Sequence, residues 1–383
     1  MQNFTYWNPV KVIFGKGTIS ELTELVPIDK KVLMIYGGGS IKKNGVYDQV
    51  KKALMNHTLV EFAGIEPNPL YQTCMKAVDV IKKEKIEFLL SVGGGSALDA
   101  TKFIAAAAEF KNENAWEIVN GAEIKSALPL GCVITLPATG SEMNCGSVIS
   151  NSDTKEKYPV VNPHMYPQFS IIDPETTFSL PRRQVINGII DTFIHTVEQY
   201  ITYDVDTPLQ DRQAEAILNT IIEETPKIMA EPVDYNARAN FFWSSTQALN
   251  GLIACGTVSD WSTHMIGHEL TALYGLDHGQ TLAILQPRVW ENKKQEKADK
   301  LLQYAQRVFN ITGKDKTDSI NLAISKTEEY FHSLGIKTKL SDYNIDAKEA
   351  AERISQRFEK RGTKIGENKQ VTPEDVKNIL LNC

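Results

Sequence analysis

The sequence predicts an α/β domain over residues 1–180 followed by an all-α domain over residues 181–383. Three observations carry this. The first half repeats a unit of buried apolar run, glycine turn and amphipathic stretch, the pattern of parallel strands covered by helices. After Leu180-Pro181 that punctuation almost vanishes, and segments with apolar residues at 3.6-residue spacing follow to the end. Finally, 383 residues exceed what one hydrophobic core normally serves.

The elements follow in order. Lys31 to Tyr36 reads as a buried strand, ended by Gly37-Gly38-Gly39-Ser40 and followed by a helix-like stretch from Gly45 to Met55. Glu87 to Val92 reads as a second, ended by Gly93-Gly94-Gly95-Ser96 and followed by an alanine-rich helix from Leu98 to Phe110. Gly131 to Leu136 is a third strand, leading into Pro137-Ala138-Thr139-Gly140-Ser141, and Phe169 to Pro174 a later one. Helices are expected at Gln184 to Thr202, Asp211 to Met229, Ala237 to Ile253, Lys297 to Val308 and Ile320 to Leu334. A last helix should begin at Thr372-Pro373-Glu374-Asp375, where a cap, a first-turn proline and two acids suit a helix N-terminus.

Composition excludes several function classes. Hydrophobic residues at 42% and charged residues at 23% describe a globular chain rather than a disordered one. Forty-one Lys and Arg against 47 Asp and Glu give a net charge of -6, with no basic footprint for nucleic acid. No cationic leader opens the chain and no apolar run approaches bilayer length, so neither secretion nor a membrane role is expected. The five scattered cysteines form no Cys-x-x-Cys pair, which fits a reducing cytoplasm.

Two patterns point to chemistry. A strand ending in glycines lets the backbone approach an anion, while the next helix aims free N–H groups and its positive end at it. Two such copies suggest a phosphate-rich ligand, although neither completes G-x-G-x-x-G, since position 42 is Lys and position 98 is Leu. Asp99, in the first turn behind the second copy, is either a simple helix N-terminal acid or a carboxylate reaching a ribose or nicotinamide amide. The second pattern is histidine clustering: of seven in the chain, His195, His264, His268, His278 and His332 lie in the helical half. Asp191 and His195 are spaced i, i+4, which places both on one helix face about 6 Å apart. His264 and His268 repeat that spacing, and His278 follows in the glycine-flanked stretch 275–279. Together they suggest a divalent metal site, and imidazole and carboxylate ligands suit Fe(II) or Zn(II) alike. The His264 to Glu269 stretch is not H-E-x-x-H, so a zinc-peptidase reading lacks its base.

At these residues the sequence resembles the iron-containing, or group III, alcohol dehydrogenase family over nearly its whole length. Pro9 to Gly17 is similar to that family's first hairpin. Gly64-Ile65-Glu66-Pro67-Asn68-Pro69, the second glycine loop with Asp99-Ala100-Thr101-Lys102, and Thr135 to Glu142 match family blocks in order. The branch it resembles is that of butanol dehydrogenases and NADPH-dependent aldehyde reductases, which share the first GGGS loop and Trp261-Ser262-Thr263-His264. Two departures stand out: Asp260-Trp261-Ser262-Thr263 where many members carry an extra histidine, and Leu276-Asp277 where many carry a proline.

The resemblance implies a dehydroquinate synthase-like architecture, with a dinucleotide-binding α/β domain, a helical metal-binding domain and an active site in the cleft between them. It implies Asp191, His195, His264 and His278 as ligands of one divalent metal, Fe(II) or Zn(II), and His268 as the group relaying a proton. Gly94, Gly95 and Ser96 would hold the pyrophosphate, Asp99 would sit near the nicotinamide, and Thr135, Thr139 and Ser141 would line the cofactor. Asn68 and Lys157 would be further contacts, or else a turn residue and a solvated charge. Members that favour NAD often carry an acid in the first loop near the position of Gly38. Here Gly37, Gly38, Gly39 and Ser40 supply none, and Lys42 and Lys43 follow, so NADP(H) is expected over NAD(H). The implied function is interconversion of small primary alcohols and aldehydes by a cytoplasmic homodimer. The alternatives are an NAD-dependent polyol or diol dehydrogenase of the same family, a dehydroquinate synthase-like lyase, and a nucleotide-sensing module with a structural metal.

Overall fold

The computed structural model describes residues 1–383, in two compact units. The first comprises Trp7–Val185 with Pro226–Asn250; the second comprises Met1–Tyr6, Ile186–Thr225 and Gly251–Cys383. No helix is long and apolar enough to cross a membrane.

The first unit holds eight strands: β1 (Lys11–Phe14), β2 (Val32–Tyr36), β3 (Leu59–Ala63), β4 (Phe88–Gly93), β5 (Leu130–Ile134), β6 (Gly146–Asn151), β7 (Glu156–Val161) and β8 (Phe169–Ile172). Six form one parallel sheet in the order β1-β8-β5-β4-β2-β3, and β6 and β7 pair as a separate antiparallel hairpin. The helices are α1 (Leu22–Leu25), α2 (Ser40–Lys43), α3 (Val46–Ala53), α4 (Tyr71–Glu84) and α5 (Gly95–Glu109), and the later α8 (Tyr235–Ala248) follows α6 (Arg182–Tyr200) and α7 (Pro208–Ile228). Side chains along a strand alternate between faces. Val32, Met34 and Tyr36 of β2 accordingly bury with Val46 and Val50 of α3, whereas Leu33 and Ile35 bury with α4 and α5 residues such as Val78 and Phe103. The sheet is thus apolar on both faces, which accounts for the unbroken apolar strand runs.

The strand order places β2 between β3 and β4, so the chain reverses its direction of sheet growth at β2. In open parallel sheets the crevice for a ligand lies at the carboxyl ends of strands where that reversal occurs. Both glycine tetrapeptides emerge there, one from β2 and one from β4.

Three expectations are corrected. Pro9 to Gly17 forms no hairpin: β1 pairs in parallel with β8, and Gly15 (φ 139°) and Gly17 (φ 69°) turn the chain into a short 3-10 turn instead of a returning strand. The first tetrapeptide enters only the single turn α2, and Gly45, in the left-handed region, caps α3 separately. The helix behind the second begins at Gly95 rather than Leu98. The β6–β7 hairpin lacks a short-range sequence signature because its connection carries no Asn-Gly or Asp-Gly turn.

The second unit is helical, with α6 from Ile186 onward, most of α7, α9 (Ser262–Tyr274), α10 (His278–Asn292), α11 (Ala298–Arg307), α12 (Lys316–Ser333), α13 (Ala347–Arg361) and α14 (Pro373–Leu381). One core packs Ile266 and Leu270 of α9 and Ile284 and Val289 of α10 against Ile354, Phe358, Val376 and Ile379. Thr372 caps α14 through a reciprocal box with Asp375.

Candidate functional site

In the helical unit, one face of α6 carries Asn187, Asp191, His195 and Glu198, and each contributes. Asn187 donates to the Asp277 carboxylate at 2.9 Å. Asp277 is the N-cap of α10, held in a capping box with Gln280, so His278 becomes the first residue of that helix rather than a loop residue. Two glycines permit the close approach. A Cβ on Gly279 would meet Asn187 Cα at 2.8 Å, and one on Gly267 would meet Thr281 Oγ1 at 2.9 Å. At the other end of the face, Glu198 accepts from the backbone N–H of Thr263 at 2.7 Å and pairs with His264 Nδ1.

The result is convergence on one carboxylate oxygen. Asp191 Oδ1 lies 3.5 Å from His195 Nδ1, 3.6 Å from His264 Nε2 and 3.5 Å from His278 Nε2. Asp191, His195 and His264 are buried and offer ligand atoms within 4.8 Å of one another, while the His278 side chain keeps a quarter of its surface exposed. These separations exceed hydrogen bonds, yet they are the roughly 3.4 Å that ligands of one tetrahedral ion keep when each bond is about 2.1 Å. His264 Nε2 is buried without a hydrogen-bond partner. Burial opposes a proton on this imidazole, but Glu198 and Asp191 outweigh it and raise its pKa to about 9, so the cage favours positive charge. The donor set therefore fits a divalent cation, and Glu198 on the far ring nitrogen is the kind of partner that orients a ligating histidine. Glu198 is not among the expected site residues, although it lies i+7 from Asp191 on the same helix face.

His268, one turn beyond His264, is 5% exposed and its ring lies 5.6 Å from that of His278. Trp261, with φ 62°, caps α9 and sets its indole edge-on to His195 and His264.

In the α/β unit the two tetrapeptides differ. Gly94 and Gly95 are enclosed: an added Cβ would lie 3.3 Å from Leu136 Cβ and 2.6 Å from Thr139 Oγ1 respectively. Ser96 follows in the first turn of α5, where the N–H groups of Ala97 and Leu98 donate to the carbonyl of Gly94 at 3.0 and 3.3 Å. Thr135 donates its backbone N–H to Gly93 at 2.9 Å and is buried. Around Gly38 and Gly39, by contrast, an added Cβ meets nothing, and Ser40 is exposed.

Asp99 is tied down. Its two oxygens accept from Ser141 Oγ at 2.7 Å and Val148 N–H at 3.0 Å, anchoring β6 to α5. Burial pushes its pKa up, with Lys102 pulling the other way. Lys102 itself is fully buried, its Nζ donating among Ser141 O (2.6 Å), Ser141 Oγ (2.8 Å), Asn144 O (2.8 Å), Asn144 Oδ1 (3.1 Å) and Gly146 O (2.9 Å). Lys157 donates to Asn68 Oδ1 at 2.7 Å, bringing together two residues singled out separately. Near the first loop, Lys42 stands over the rings of Tyr36 and Tyr47. An unanticipated acid, Glu61, accepts from both phenols and from Lys51.

Residues 9–174 match the family described as iron-containing alcohol dehydrogenase, and residues 185–383 match the C-terminal part of the Fe-containing alcohol dehydrogenase family. An NADPH-dependent aldehyde reductase of Escherichia coli (strain K12), YqhD, is 52% identical over 375 residues, covering 97% of each chain. A probable NADH-dependent butanol dehydrogenase of Bacillus subtilis (strain 168) is 45% identical over 386 residues, covering 99% of each. The crystal structure of E. coli K-12 YqhD matches with a TM-score of 0.97 at 51% identity, covering 99% of this chain and 98% of that one. This chain belongs to the iron-containing alcohol dehydrogenase family and is a metal- and NAD(P)-dependent oxidoreductase of alcohols and aldehydes.

Proposed function

We propose that this protein reduces small aldehydes to primary alcohols, favouring NADP(H) over NAD(H), with one divalent ion, Fe(II) or Zn(II), held by Asp191, His195, His264 and His278. The observation that carries the reading is the convergence of three imidazole nitrogens at 3.5–3.6 Å on a single Asp191 oxygen. When bound there, such an ion supplies Lewis acidity toward a carbonyl or alkoxide oxygen. The nicotinamide dinucleotide supplies or accepts hydride.

The chain's own residues do the rest. Glu198 fixes the His264 tautomer so that Nε2 faces Asp191. Trp261, against two of the four imidazole and carboxylate donors, keeps water from that side. His268 is positioned one turn past His264 to exchange the proton that alcohol and aldehyde differ by. In the α/β unit, Gly94, Gly95 and Ser96 would receive the pyrophosphate at the start of α5. Thr135, Thr139, Ser141, Asp99 and the Asn68–Lys157 pair would shape that wall. Gly37 to Ser40 would accept a 2′-phosphate through backbone N–H groups and the Ser40 hydroxyl. The absence of an acid in that loop supports the NADP(H) preference, as does the NADPH dependence in the name of the E. coli relative. A cytoplasmic homodimer is part of the same reading, supported by the resemblance alone.

Metal analysis tests the site. His264→Ala should lose the ion and most turnover; full metal content with wild-type turnover would overturn the assignment. His268→Ala should keep the ion and lower turnover by about a hundredfold, and loss of the ion there would contradict its role. For the cofactor, kcat/KM with butanal should be higher for NADPH than NADH. Equal values, or a preference for NADH as named for the B. subtilis relative, would sink that part.

A further inference from the structure

Lys297, the N-cap of α11, is 0% exposed, and its Nζ lies 2.8 Å from Asp260 Oδ2, 2.7 Å from Glu367 Oε1 and 3.0 Å from the carbonyl of Ile201. A lysine is almost never fully buried unless its charge is matched. Burial pulls its pKa down, and the two carboxylates more than offset this, so it remains an ammonium.

Its partners locate its purpose. Ile201 follows directly on the last residue of α6, the helix that carries Asp191, His195 and Glu198. Asp260 immediately precedes Trp261, the cap of α9, and its other oxygen accepts from the backbone N–H and the hydroxyl of Ser262. The backbone N–H of Asp260 donates to the carbonyl of Glu198 at 2.8 Å. One ammonium therefore joins the C-terminal end of α6 to the N-terminal approach of α9. His264 enters the cage only if those two ends keep their register, because Glu198 must meet both Thr263 N–H and His264 Nδ1.

We propose that Lys297 is a positioning residue for the metal site, acting through Asp260 to hold the His264-bearing helix against α6. The proposal rests on the assignment of Asp191, His195, His264 and His278 as ligands. Groups hydrogen-bonded directly to metal ligands commonly change metal affinity by about ten- to a hundredfold, and Lys297 acts one contact further out, so an effect at the low end of that range is expected.

The test measures Zn(II) affinity of the metal-stripped full-length chain by competition with a chromophoric chelator. Lys297→Met removes the ammonium and Asp260→Asn removes the carboxylate charge that it pairs with, and each should weaken Zn(II) binding by about tenfold or more. Glu367→Gln leaves the Lys297–Asp260 pair and should bind within about twofold of wild type by the same scale. The visible spectrum of bound Co(II), which reports ligand geometry, should change in the first two variants and not in the third. Should Lys297→Met fail to fold, the isosteric Asp260→Asn decides. Wild-type affinity in Asp260→Asn, or an equal loss in Glu367→Gln, would overturn the proposal. A wild-type chain that takes up no stoichiometric Zn(II) would instead overturn the ligand assignment on which it rests.

Discussion

The tetrapeptide Gly-Gly-Gly-Ser occurs at residues 37–40 and again at 93–96, each time behind a fully buried strand of the same sheet. Behind the first copy the chain makes a single helical turn whose lysines face outward. Behind the second it runs without a loop into the 15-residue α5, which buries eleven of its residues, Lys102 among them. The difference arises from what packs on each. Leu136 and Thr139 press on Gly94 and Gly95, whereas nothing approaches Gly38 or Gly39. The second turn thus needs glycine for packing whatever it binds, whereas in the first only Gly38 is free to vary, since Gly39 sits at φ 99° and a Cβ on Gly37 would lie 3.2 Å from the Ile65 carbonyl.

Substitutions can break or sharpen that contrast. The largest effect is expected at the lysines. Lys102→Met should cost about 3 kcal/mol in urea unfolding, since it strips a donor from carbonyls buried around Ser141, Asn144 and Gly146. Lys42→Met, which loses contacts of an exposed ammonium with two tyrosines, should leave the unfolding midpoint close to that of wild type. Comparable losses at the two sites would erase the distinction.

Next come the glycines themselves. Gly95→Ala should destabilise by about 1–3 kcal/mol, because its methyl would collide with Thr139, and Gly38→Ala should be close to neutral. Thermal melts of the two variants make the comparison, and a destabilised Gly38→Ala would count against an open first turn. Gly38→Asp carries the functional half. With room for its side chain, it should leave the melting temperature unchanged and move the NADPH to NADH ratio of kcat/KM toward NADH by about tenfold, or 1.4 kcal/mol. An unchanged ratio would mean that this loop does not read the 2′-phosphate.

The smallest effect belongs to Glu61, beside the first turn. Burial raises its pKa, but hydrogen bonds from Tyr47, Lys51 and Tyr36 outweigh that and hold it below the ordinary carboxylate value. A carboxylate with a lowered folded pKa stabilises above its unfolded pKa and loses that contribution as pH falls through the folded one. Glu61→Gln should therefore cost less than about 1 kcal/mol at neutral pH, and the gap from wild type should close on acidification. A gap that widens in acid would reverse the sign of this argument.

Much of the site was legible because helical spacing is local. Asp191 and His195 share a face by the backbone period alone, and Glu198 extends that face by one more turn. Asp99 was ambiguous for the opposite reason: its partners, Ser141 and Val148, lie more than forty residues away, and no local pattern says whether its oxygens are engaged. Lys102, named only as part of a family block, and Lys297 both read as solvated in sequence until the carbonyls and carboxylates around them are known.

The repeated strand, turn and helix of the first half, the helical second half, and the residues that share a face can all be read from the chain without its fold. Those follow from side-chain alternation, the 3.6-residue period and the conformational freedom of glycine, all properties of short segments. Only the tertiary structure decided which faces meet. His278 reaches Asp191 because Gly279 lets α10 lie against Asn187, and His264 reaches it because Glu198 holds the start of α9. Such contacts join residues tens of positions apart, and they are set by close packing of whole elements, where a single added carbon can forbid the approach.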